Sequence, residues 1–397
     1  MKILIANPGS TSYKCKLFDM STMSVLFQAG VERIGDRVGI YSYQFAGAEK
    51  VTQQLSIPDF TAAVNQTLDT LQTGFPVADV AAVGFKTVHA KGVTGCARLT
   101  EDVLRAMEDY LPLAPVHNRV YLTAISVFKK LLPQTPLIGL FETAFHSRIP
   151  PEAYLYGIPF EYFEKYGIRK YGFHGASHRY IGQRAKELYF PSAPSCKVIS
   201  CHLGGSSSVC AIKDGVSVDT SMGMSPQSGL LNATRVGDFD CFALLYLMEK
   251  ENLSIEQVRK MLISRGGVLG ISGVNSDFRD VEASMQKGSL RDELAFDTFA
   301  YYVKRYIGEY MAVLNRADII VFTGGAGQYS PALRKAILRN MENIGIVLDD
   351  ERNAANPGEG LISAEDSSVK IAVIPTNEEW IVAREVEKVI RSQQQPA

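Results

Sequence analysis

The sequence predicts an α/β protein built from two copies of one domain. Residues 2–15 align without a gap on residues 197–210, a shift of 195 residues (197 − 2) in a chain of 397. In both stretches an apolar strand runs into a turn of Gly, Ser and Thr and returns as a second strand. Elsewhere apolar strands alternate with amphipathic helices, a pattern typical of a sheet covered by helices.

The first half of the chain is predicted to form a sheet with helices packed against it. Short apolar or alternating runs bounded by turn residues indicate further strands at 25–29, 40–45, 80–85 and 136–141. Apolar residues at helical spacing, preceded by capping residues such as Asp59 and Thr100, indicate helices at 60–71, 100–111 and 120–132.

A change of domain is expected near Pro150 and Pro151, which precede an aromatic-rich stretch. We therefore predict one domain from residues 1–149 plus 380–397 and a second from 150–379. The second domain is predicted to contain strands at 317–322 and 369–374, a third Gly-rich turn at 323–327, and helices at 178–188, 254–265, 292–315 and 331–343. A last helix is expected at 377–392.

Composition indicates a globular enzyme without an electrostatic surface for nucleic acid. The chain has 46% hydrophobic and 21% charged residues and a formal net charge of −1. The N-terminus enters a strand directly, so no secretory signal or transmembrane span is expected, and we predict no membrane association and a cytoplasmic location. Six cysteines without a CxxC pair, three of them in predicted strands, indicate free thiols in a reducing compartment.

The two Gly/Ser turns are the first candidates for phosphate binding. Backbone N–H groups and hydroxyls at a strand end can hold a phosphate; the alternative is that each turn needs glycine for its backbone geometry alone. The chain has no Walker A motif and no GxGxxG at the start of a helix. Duplicated hairpins alternating with helices best match two actin-like (ribonuclease H-like) domains with a nucleotide cleft between them.

Phosphoryl transfer also needs cationic and hydrogen-bonding groups around the phosphoryl that moves. Histidines in loops suit this need, and all six fall in short polar segments after apolar strands or beside prolines and glycines: His89, His117, His146, His174, His178 and His202. Arg235, flanked by Thr234 and Gly237, is the candidate for an arginine that holds a phosphate. His174 and His178 have the spacing of a zinc pair but lack the Glu of HExxH, so a core role is favoured for His178. For Arg235 the alternative is a surface arginine that caps a turn.

The motifs in their order along the chain resemble the acetate and propionate kinases, which pass phosphate between ATP and a short carboxylate. The resemblance covers almost the whole chain. The matching stretches are 7–12 (NPGSTS), 171–175 (YGFHG), 202–204 (HLG), 219–223 (DTSMG), 234–238 (TRVGD), 272–280 (SGVNSDFRD) and 374–379 (IPTNEE).

The resemblance implies a role for each matching residue. Asn7 and Glu378 would place Mg²⁺, His174, Arg235 and Glu142 would be catalytic, and Lys86, Val88, Val116 and Phe173 would bind the acid. The nucleotide, ATP or ADP as co-substrate, would contact the two turns through Ser10, Ser12, Lys14, His202, Leu203, Gly204, Gly205 and Ser206. Its adenosine end would contact Asp277, Phe278, Arg279, Gly325, Ala326, Gly327, Gln328 and Tyr329. The first domain would bind the acceptor, and the second would bind nucleotide and form a homodimer through the 292–315 helix.

Two departures from the family pattern fall where the acid would bind. Lys86 stands in place of an arginine, so a point charge on a flexible stem replaces a fork that can hold a carboxylate through two bonds. Glu142 stands in place of an aspartate, which moves the carboxylate outward by one methylene. The two changes are either compensating or weakening; we expect altered carboxylate recognition.

Further departures affect the nucleotide side. The family's second turn usually reads His-Leu-Gly-Asn-Gly, where this chain has Gly205 and Ser206 in the last two positions. Its adenosine turn usually ends Gly-Glu-Asn-Ser, where this chain has Gln328 and Tyr329. Tyr329 would either stack on a base or block its entry, so pyrophosphate stays open as an alternative donor.

The leading hypothesis is therefore a reversible, Mg²⁺-dependent kinase that uses ATP and a short-chain, acetate-like carboxylate and forms an acyl phosphate. Three alternatives remain at the level of sequence. The chain is a non-catalytic homologue that binds nucleotide or acyl phosphate, a kinase with pyrophosphate as donor, or a kinase for a longer acid.

Overall fold

The structure is a computed structural model that describes residues 1–394, except for the side chains of residues 115–117 and 394. The chain divides into two units, Met1–Ala144 with the segment from Asn377 onward (unit 1) and Phe145–Thr376 (unit 2). These limits lie a few residues from the predicted boundaries, 1–149 plus 380–397 and 150–379. No helix within residues 1–394 is long and apolar enough to cross a bilayer.

Unit 1 contains an eight-stranded mixed sheet. In chain order its strands are β1 (Lys2–Pro8), β2 (Ser12–Asp19), β3 (Ser24–Glu32), β4 (Gly39–Phe45), β5 (Val51–Leu55), β6 (Val80–Thr87), β7 (Cys96–Arg98) and β8 (Leu137–Phe141). Their order across the sheet is β5-β4-β3-β2-β1-β6-β8-β7. β1, β6 and β8 are parallel neighbours, and all other pairs are antiparallel.

Helices cover both faces of this sheet because successive residues of a strand point to opposite faces. On one face Phe128 of α3 (Pro115–Leu131) packs against Phe85, with ring centroids 5.4 Å apart. On the other face α15 (Glu378–Gln394) lies so close to β6 that a Cβ on Gly84 would come within 2.9 Å of Val386 Cγ2. Unit 1 also contains α1 (Phe60–Gln72), which Asp59 caps as expected, and α2 (Glu101–Asp109), which Thr100 caps.

Unit 2 contains a six-stranded sheet that repeats the inner part of the first. Its strands are β9 (Lys197–His202), β10 (Ser208–Lys213), β11 (Val216–Thr220), β12 (Ile319–Thr323), β13 (Gly360–Leu361) and β14 (Lys370–Val373). The order β11-β10-β9-β12-β14-β13 corresponds strand by strand, including directions, to β3-β2-β1-β6-β8-β7. The predicted duplication is therefore confirmed at the level of topology.

The gapless alignment of the two hairpins, in contrast, is wrong on the return strand. Asn7 pairs with Lys14 across the first hairpin, whereas His202, its counterpart at the 195-residue shift, pairs with Ser208 and not with Val209. The second turn is thus one residue shorter than the first. Because strand side chains alternate between faces, this slip exchanges the faces of all aligned residues in β10.

The helices of unit 2 also lie on both faces of its sheet. Phe299 packs in one core with Phe322, and Ile181 packs in another with Val321. The helices are α4 (Pro151–Tyr154), α5 (Glu161–Tyr166), α6 (Gly175–Tyr189), α7 (Cys241–Glu251), α8 (Ile255–Ser264), α9 (Gly267–Ser272), α10 (Phe278–Met285), α11 (Leu290–Val313), α12 (Gly324–Tyr329), α13 (Pro331–Leu338) and α14 (Asp350–Ala355).

Several local predictions are corrected by these bounds. The third Gly-rich turn is not a turn, because residues 324–329 form the short helix α12 directly after β12. Helix α3 begins at Pro115 and not at residue 120, since a proline at the first helical position has its backbone preset for a helix. The predicted 331–343 helix ends at Leu338 and is followed by a short 3-10 turn, Glu342–Ile344.

Candidate active site

Unit 1 brings together the predicted acceptor and metal residues at one edge of its sheet. Asn7 lies near the end of β1, Lys86 near the end of β6, and Glu142 directly after β8. These are neighbouring parallel strands, so their carboxyl ends meet at the same edge, where α/β proteins commonly bind ligands. Glu378 is the first residue of α15, whose N-terminus favours a negative charge.

Lys86 is held between two carboxylates. Its Nζ lies 2.7 Å from Glu378 Oε2 and 3.1 Å from Glu142 Oε1, and the side chains of Lys86, Glu142 and Glu378 are only 20%, 7% and 16% exposed. Burial alone would lower the pKa of Lys86, but Glu142 and then Glu378 outweigh it and hold this pKa well above its usual value. The ammonium of Lys86 therefore stays charged.

Tyr121 joins this cluster and was missed by the sequence analysis. Its hydroxyl donates to Asn7 Oδ1 at 3.2 Å, and its ring is almost completely buried. Burial raises the pKa of Tyr121, while the charge of Lys86 opposes that rise, so the phenol remains a hydrogen-bond donor. Tyr121 lies in the middle of α3, where an aromatic residue at helical spacing reads as core, so no sequence signal distinguished it.

The residues of unit 1 are compatible with a magnesium site. Glu378 Oε1 is buried and has no hydrogen-bond partner among the described residues, so this oxygen is available to a cation. Asn7 adds an amide oxygen oriented by Tyr121. Within residues 1–394 no group of three or more His, Cys, Asp or Glu could hold a metal, so substrate phosphates and water would have to supply most ligands, as is usual for Mg²⁺.

The first Gly/Ser turn, residues 9–11, is closed by its own backbone. Gly9 N–H donates to the carbonyl of Ser12 at 2.7 Å, and a Cβ on Gly9 would come within 2.5 Å of Ser12 Oγ. A Cβ at this position would fit only if the Ser12 hydroxyl rotated away from it. Ser10 in the turn and Lys14 in β2 are exposed, and Lys14 lines a cavity of about 370 Å³ on the outer part of the sheet together with Lys16.

The second Gly/Ser turn, residues 203–207, is tied to the neighbouring strand and to a long loop. Leu203 N–H donates to the Thr323 carbonyl at 2.8 Å, and Ser207 N–H donates to Asn232 Oδ1 at 2.7 Å. Ala233 N–H donates to the Gly205 carbonyl at 3.0 Å. The turn therefore has a fixed position relative to the loop that carries Arg235, residues 221–239, which we call the Arg235 loop.

Arg235 is 8% exposed, which excludes the surface-arginine interpretation. Its Nη2 donates to Asn232 Oδ1 at 3.3 Å, the same oxygen that accepts from the second turn. Gly267, at φ +64°, lies against this loop so closely that a Cβ there would be 2.1 Å from the Asn232 carbonyl oxygen. The local backbone thus places Arg235 beside the second turn.

His174 is in the left-handed region, with φ 56°, directly before α6. A non-glycine residue in that region costs free energy, and such strain is frequent at functional sites. The ring stacks on His202 with centroids 4.3 Å apart. Its Nε2 lies 3.0 Å from Ser206 Oγ, so the second turn also contacts His174.

The buried histidines behind this group have structural contacts. His178 Nδ1 and Nε2 lie 2.9 Å from Ser200 Oγ and 2.7 Å from Ser208 Oγ. Burial lowers the pKa of His178 well below its usual value and that of His146 to about 4, so both are neutral. The core role predicted for His178 agrees with these contacts.

A cavity of about 470 Å³ in unit 2 is lined by eight of the sixteen predicted nucleotide residues. Gly204, Gly205, Asp277, Phe278, Arg279, Gly325, Ala326 and Tyr329 all line it. Sequence reasoning missed four further lining residues, Ala233, Ser276, Glu282 and Ser330. Ser330 donates to Glu282, a contact between two elements that no spacing in the sequence reveals.

The remaining nucleotide-side predictions do not line this cavity. Leu203 is fully buried, and the carbonyls of Gly327 and Gln328 accept hydrogen bonds of 2.9 Å from the buried Arg334.

Two positions that depart from the family pattern do line the cavity. The first, Tyr329, is 69% exposed there. Nothing lies within 4 Å of a Cβ built on Gly205, so the missing amide leaves open space beside the turn.

The three predicted apolar acid-binding residues are described unequally. Val88 in unit 1 is 7% exposed and Phe173 in unit 2 is 1% exposed, and the Phe173 carbonyl is hydrogen-bonded to His146 at 2.9 Å. The side chain of Val116 lies outside the described residues. The three therefore remain predictions.

Comparison with known proteins agrees with this architecture. The acetokinase family model matches residues 2–384. The acetate kinase of Desulfitobacterium hafniense (strain DSM 10664 / DCB-2) is 43% identical over 397 residues, which cover 98% of this chain and 100% of that protein. The crystal structure of Porphyromonas gingivalis acetate kinase is 36% identical, with a TM-score of 0.86 over 98% of this chain and 99% of that one. A Francisella tularensis propionate kinase structure is 31% identical, with a TM-score of 0.89 over 97% and 98%.

The repeated sheets and these structural neighbours define a kinase with the duplicated actin-like fold, as predicted. The length and identity of the matches then specify the family. The chain belongs to the acetokinase family and is a phosphotransferase with a carboxyl group as acceptor.

Proposed function

We propose that this protein transfers the γ-phosphoryl group of ATP to a carboxylate oxygen of a short-chain, acetate-like acid, reversibly and with Mg²⁺. The observation that carries this proposal is the hydrogen-bonded group in unit 2. There the second turn contacts both His174 and, through Asn232, Arg235, and it borders the 470 Å³ cavity. A donor cavity, a phosphate-binding turn and two groups able to stabilise a phosphoryl are the parts that such a transfer requires.

Each catalytic group has a distinct proposed task. Arg235 would neutralise charge on the phosphoryl oxygens with a guanidinium that its burial keeps poorly screened. His174 would donate a hydrogen bond to the same group. The backbone of the second turn would hold the nucleotide phosphates. Catalysis would then rest on positioning and charge stabilisation more than on covalent chemistry of the protein.

Asn7 and Glu378 would hold the magnesium ion, which when bound supplies positive charge to the phosphate oxygens. The support within the chain is the buried, unpartnered Glu378 Oε1 and the Asn7 oxygen fixed by Tyr121. Lys86 Nζ forms ion pairs with the other carboxylate oxygen of Glu378, Oε2, and with Glu142 Oε1. An incoming acid would therefore compete with two protein carboxylates for this ammonium.

This competition supports the hypothesis of altered carboxylate recognition. An arginine at position 86 has five N–H donors and can serve a protein carboxylate and a substrate together, whereas an ammonium already shared by two carboxylates has little capacity left. We infer a weak affinity for short acids, and the different acceptors in the names of the relatives, acetate and propionate, leave the acyl length to be measured.

A hydroxamate assay tests the proposed reaction. Purified protein is incubated with ATP, Mg²⁺, hydroxylamine and one acid from a panel of acetate, propionate, butyrate and isobutyrate, and acyl hydroxamate is measured. We expect the wild-type protein to form hydroxamate with at least one acid. Arg235→Ala should lower the rate of hydroxamate formation by about a hundredfold or more. If the folded protein binds ATP but yields none with any acid, the non-catalytic alternative replaces the proposal.

The double variant Lys86→Arg, Glu142→Asp separates a weakened site from a retuned one. If the two departures only weaken the site, the variant gains turnover with acetate. If they form a site for another acid, the variant loses turnover with the best acid of the panel. Lys91→Arg is a matched control, since its ion pair with Asp109 is long, 3.9 Å, and more than half exposed.

A homodimer through unit 2 is part of the proposal. Helix α7 has no buried residue, yet it exposes Phe242, Leu245 and Tyr246, and α11 exposes Leu290 and Tyr301. Phe242, Leu245 and Tyr246 lie on one face of α7 at i, i+3 and i+4, and a contiguous exposed apolar patch is typical of an interaction site. Sedimentation of wild-type protein and of Phe242→Asp tests whether α7 takes part in that contact. We also propose a cytoplasmic location, because Cys15, Cys196, Cys201 and Cys210 are buried thiols outside any disulfide.

A further inference from the structure

Serine hydroxyls contact both ring nitrogens of His174. Its Nδ1 lies 2.8 Å from Ser208 Oγ, and its Nε2 lies 3.0 Å from Ser206 Oγ. Ser208 Oγ also lies 2.7 Å from Nε2 of His178, whose Nδ1 lies 2.9 Å from Ser200 Oγ. The five side chains form one continuous hydrogen-bonded chain, which runs from Ser206 through His174, Ser208 and His178 to Ser200.

This serine–histidine chain has a direction. A hydroxyl has one proton to donate, and a neutral imidazole has one N–H and one bare nitrogen. His178 is neutral, because burial lowers its pKa well below the usual value. For a neutral His174, use of the buried Ser208 proton within the chain gives His174 and His178 the same tautomer. In one direction both carry the proton on Nε2; in the other both carry it on Nδ1.

The first direction is the one that phosphoryl transfer can use. A phosphoryl group offers only acceptor oxygens, so a ring nitrogen of His174 can hold it only as N–H. Nδ1 is occupied within the buried chain by Ser208, whereas Nε2 reaches the second turn, where Ser206 is located. In this direction Ser206 Oγ accepts from His174 Nε2–H, which is the bond that a phosphoryl oxygen would accept.

We propose that Ser206 is a positioning residue for His174: its hydroxyl oxygen accepts from Nε2–H in the free enzyme and is replaced by a phosphoryl oxygen during transfer. The inference rests on the proposed function, because it takes His174 as the group that holds the phosphoryl. The related family usually has glycine at this position, which has no hydroxyl. The contact is therefore a feature of this chain. It orients the His174 ring in addition to the left-handed backbone conformation of this residue.

Nitrogen NMR of histidine-labelled protein tests the contact without any turnover. Long-range ¹⁵N–¹H correlations distinguish the two tautomers, and His174→Gln assigns the signals. We expect both His174 and His178 as the Nε2–H tautomer in wild-type protein. Ser206→Ala should shift the Nε2 signal of His174, and Ser206→Thr should restore it. Ser217→Ala is the matched control: it removes the hydroxyl 2.8 Å from His146 Nδ1 and should shift His146 and not His174.

Kinetics test the replacement step. Removing the hydroxyl frees Nε2–H before the phosphoryl arrives, so we expect Ser206→Ala to raise kcat about threefold to tenfold, the effect of one neutral hydrogen bond, with KM for the acid unchanged. Ser206→Thr should return kcat to the wild-type value. A loss of hydroxyl that only disturbed packing would instead lower kcat, and Thr would not rescue it.

Three results would overturn the inference. The first is an Nδ1–H tautomer for His174, and the second is an Nε2 signal of His174 that Ser206→Ala does not shift. The third is a kcat of Ser206→Ala at or below the wild-type value. Absence of acyl phosphate with every acid would contradict the proposed function instead, and the NMR result would then still decide whether Ser206 positions His174.

Discussion

Replacing Lys86 with Met should destabilise unit 1 by about 3 kcal/mol at neutral pH. At an effective dielectric constant of about 20, the ammonium attracts the carboxylate at 2.7 Å by about 6 kcal/mol and the one at 3.1 Å by about 5 kcal/mol. Desolvation of the three buried groups offsets most of this. Removing the cation leaves two uncompensated carboxylates, a loss of about 3–5 kcal/mol, and the 20% exposure of Lys86 favours the lower end.

The contribution of Lys86 to the free energy of unfolding should not depend on pH between pH 6 and 9. Because the folded pKa of Lys86 is raised, its contribution is fully present below the unfolded pKa of about 10.4 and is lost as pH rises through the folded pKa. Wild-type stability from this contact is therefore constant between pH 6 and 9.

Urea unfolding followed by tryptophan fluorescence measures this directly. The chain has one tryptophan, Trp380, in the first turn of α15, so its fluorescence reports on unit 1. Lys91→Met is the control, because its exposed ion pair with Asp109 should cost less than about 1 kcal/mol. Equal midpoints for the two variants, or a deficit of Lys86→Met that disappears as pH rises from 6 to 9, would refute the assigned geometry of Lys86.

Three further predictions concern the candidate site residues of unit 1 and of unit 2. Tyr121→Phe removes the donor to Asn7 Oδ1, so the Mg²⁺ concentration for half-maximal activity should rise about tenfold, and an unchanged requirement would show that Asn7 needs no such support. Gly324→Ala would place a Cβ 2.6 Å from the Leu203 carbonyl oxygen at φ +77°, so thermal unfolding should show a loss of about 1–3 kcal/mol and ATP titration a weaker affinity; wild-type behaviour in both would contradict the close approach. Tyr329→Ala should weaken ATP binding about tenfold and leave pyrophosphate unaffected if the exposed ring stacks on the base, while Tyr329→Phe should bind as the wild type; tighter ATP binding by the Ala variant would mean that the ring blocks entry.

The architecture was accessible from the sequence because it is repeated. Two similar hairpins nearly half the chain apart predicted the duplication, and the two sheets share their order. The gapless alignment nevertheless failed by one residue in β10, since a turn can lose a residue without changing its composition. Short elements such as α12 were also missed, because a Gly-rich segment has no apolar periodicity to mark a helix.

The site was accessible only where a motif carried it. Eight of the sixteen predicted nucleotide-side residues line one cavity of unit 2, and their role in binding stays a prediction. The residues that support the site were not visible: Tyr121 reads as a core aromatic, and Asn232 as a loop residue, until the fold brings them to Asn7 and to Ser207 of the second turn. Such contacts depend on tertiary structure, and no spacing along the chain encodes them.

Isotope tracing of the carboxylate oxygen tests the central claim most directly. The acid that is active in the hydroxamate panel is supplied with ¹⁸O in its carboxyl group, together with ATP, Mg²⁺ and hydroxylamine, and the released phosphate is observed by ³¹P NMR. If the phosphoryl group is transferred to a carboxylate oxygen, hydroxylamine attacks the acyl carbon and the phosphate leaves with one ¹⁸O. Phosphate that contains no ¹⁸O from the labelled acid would mean that ATP is hydrolysed by water and that the acid is not the acceptor.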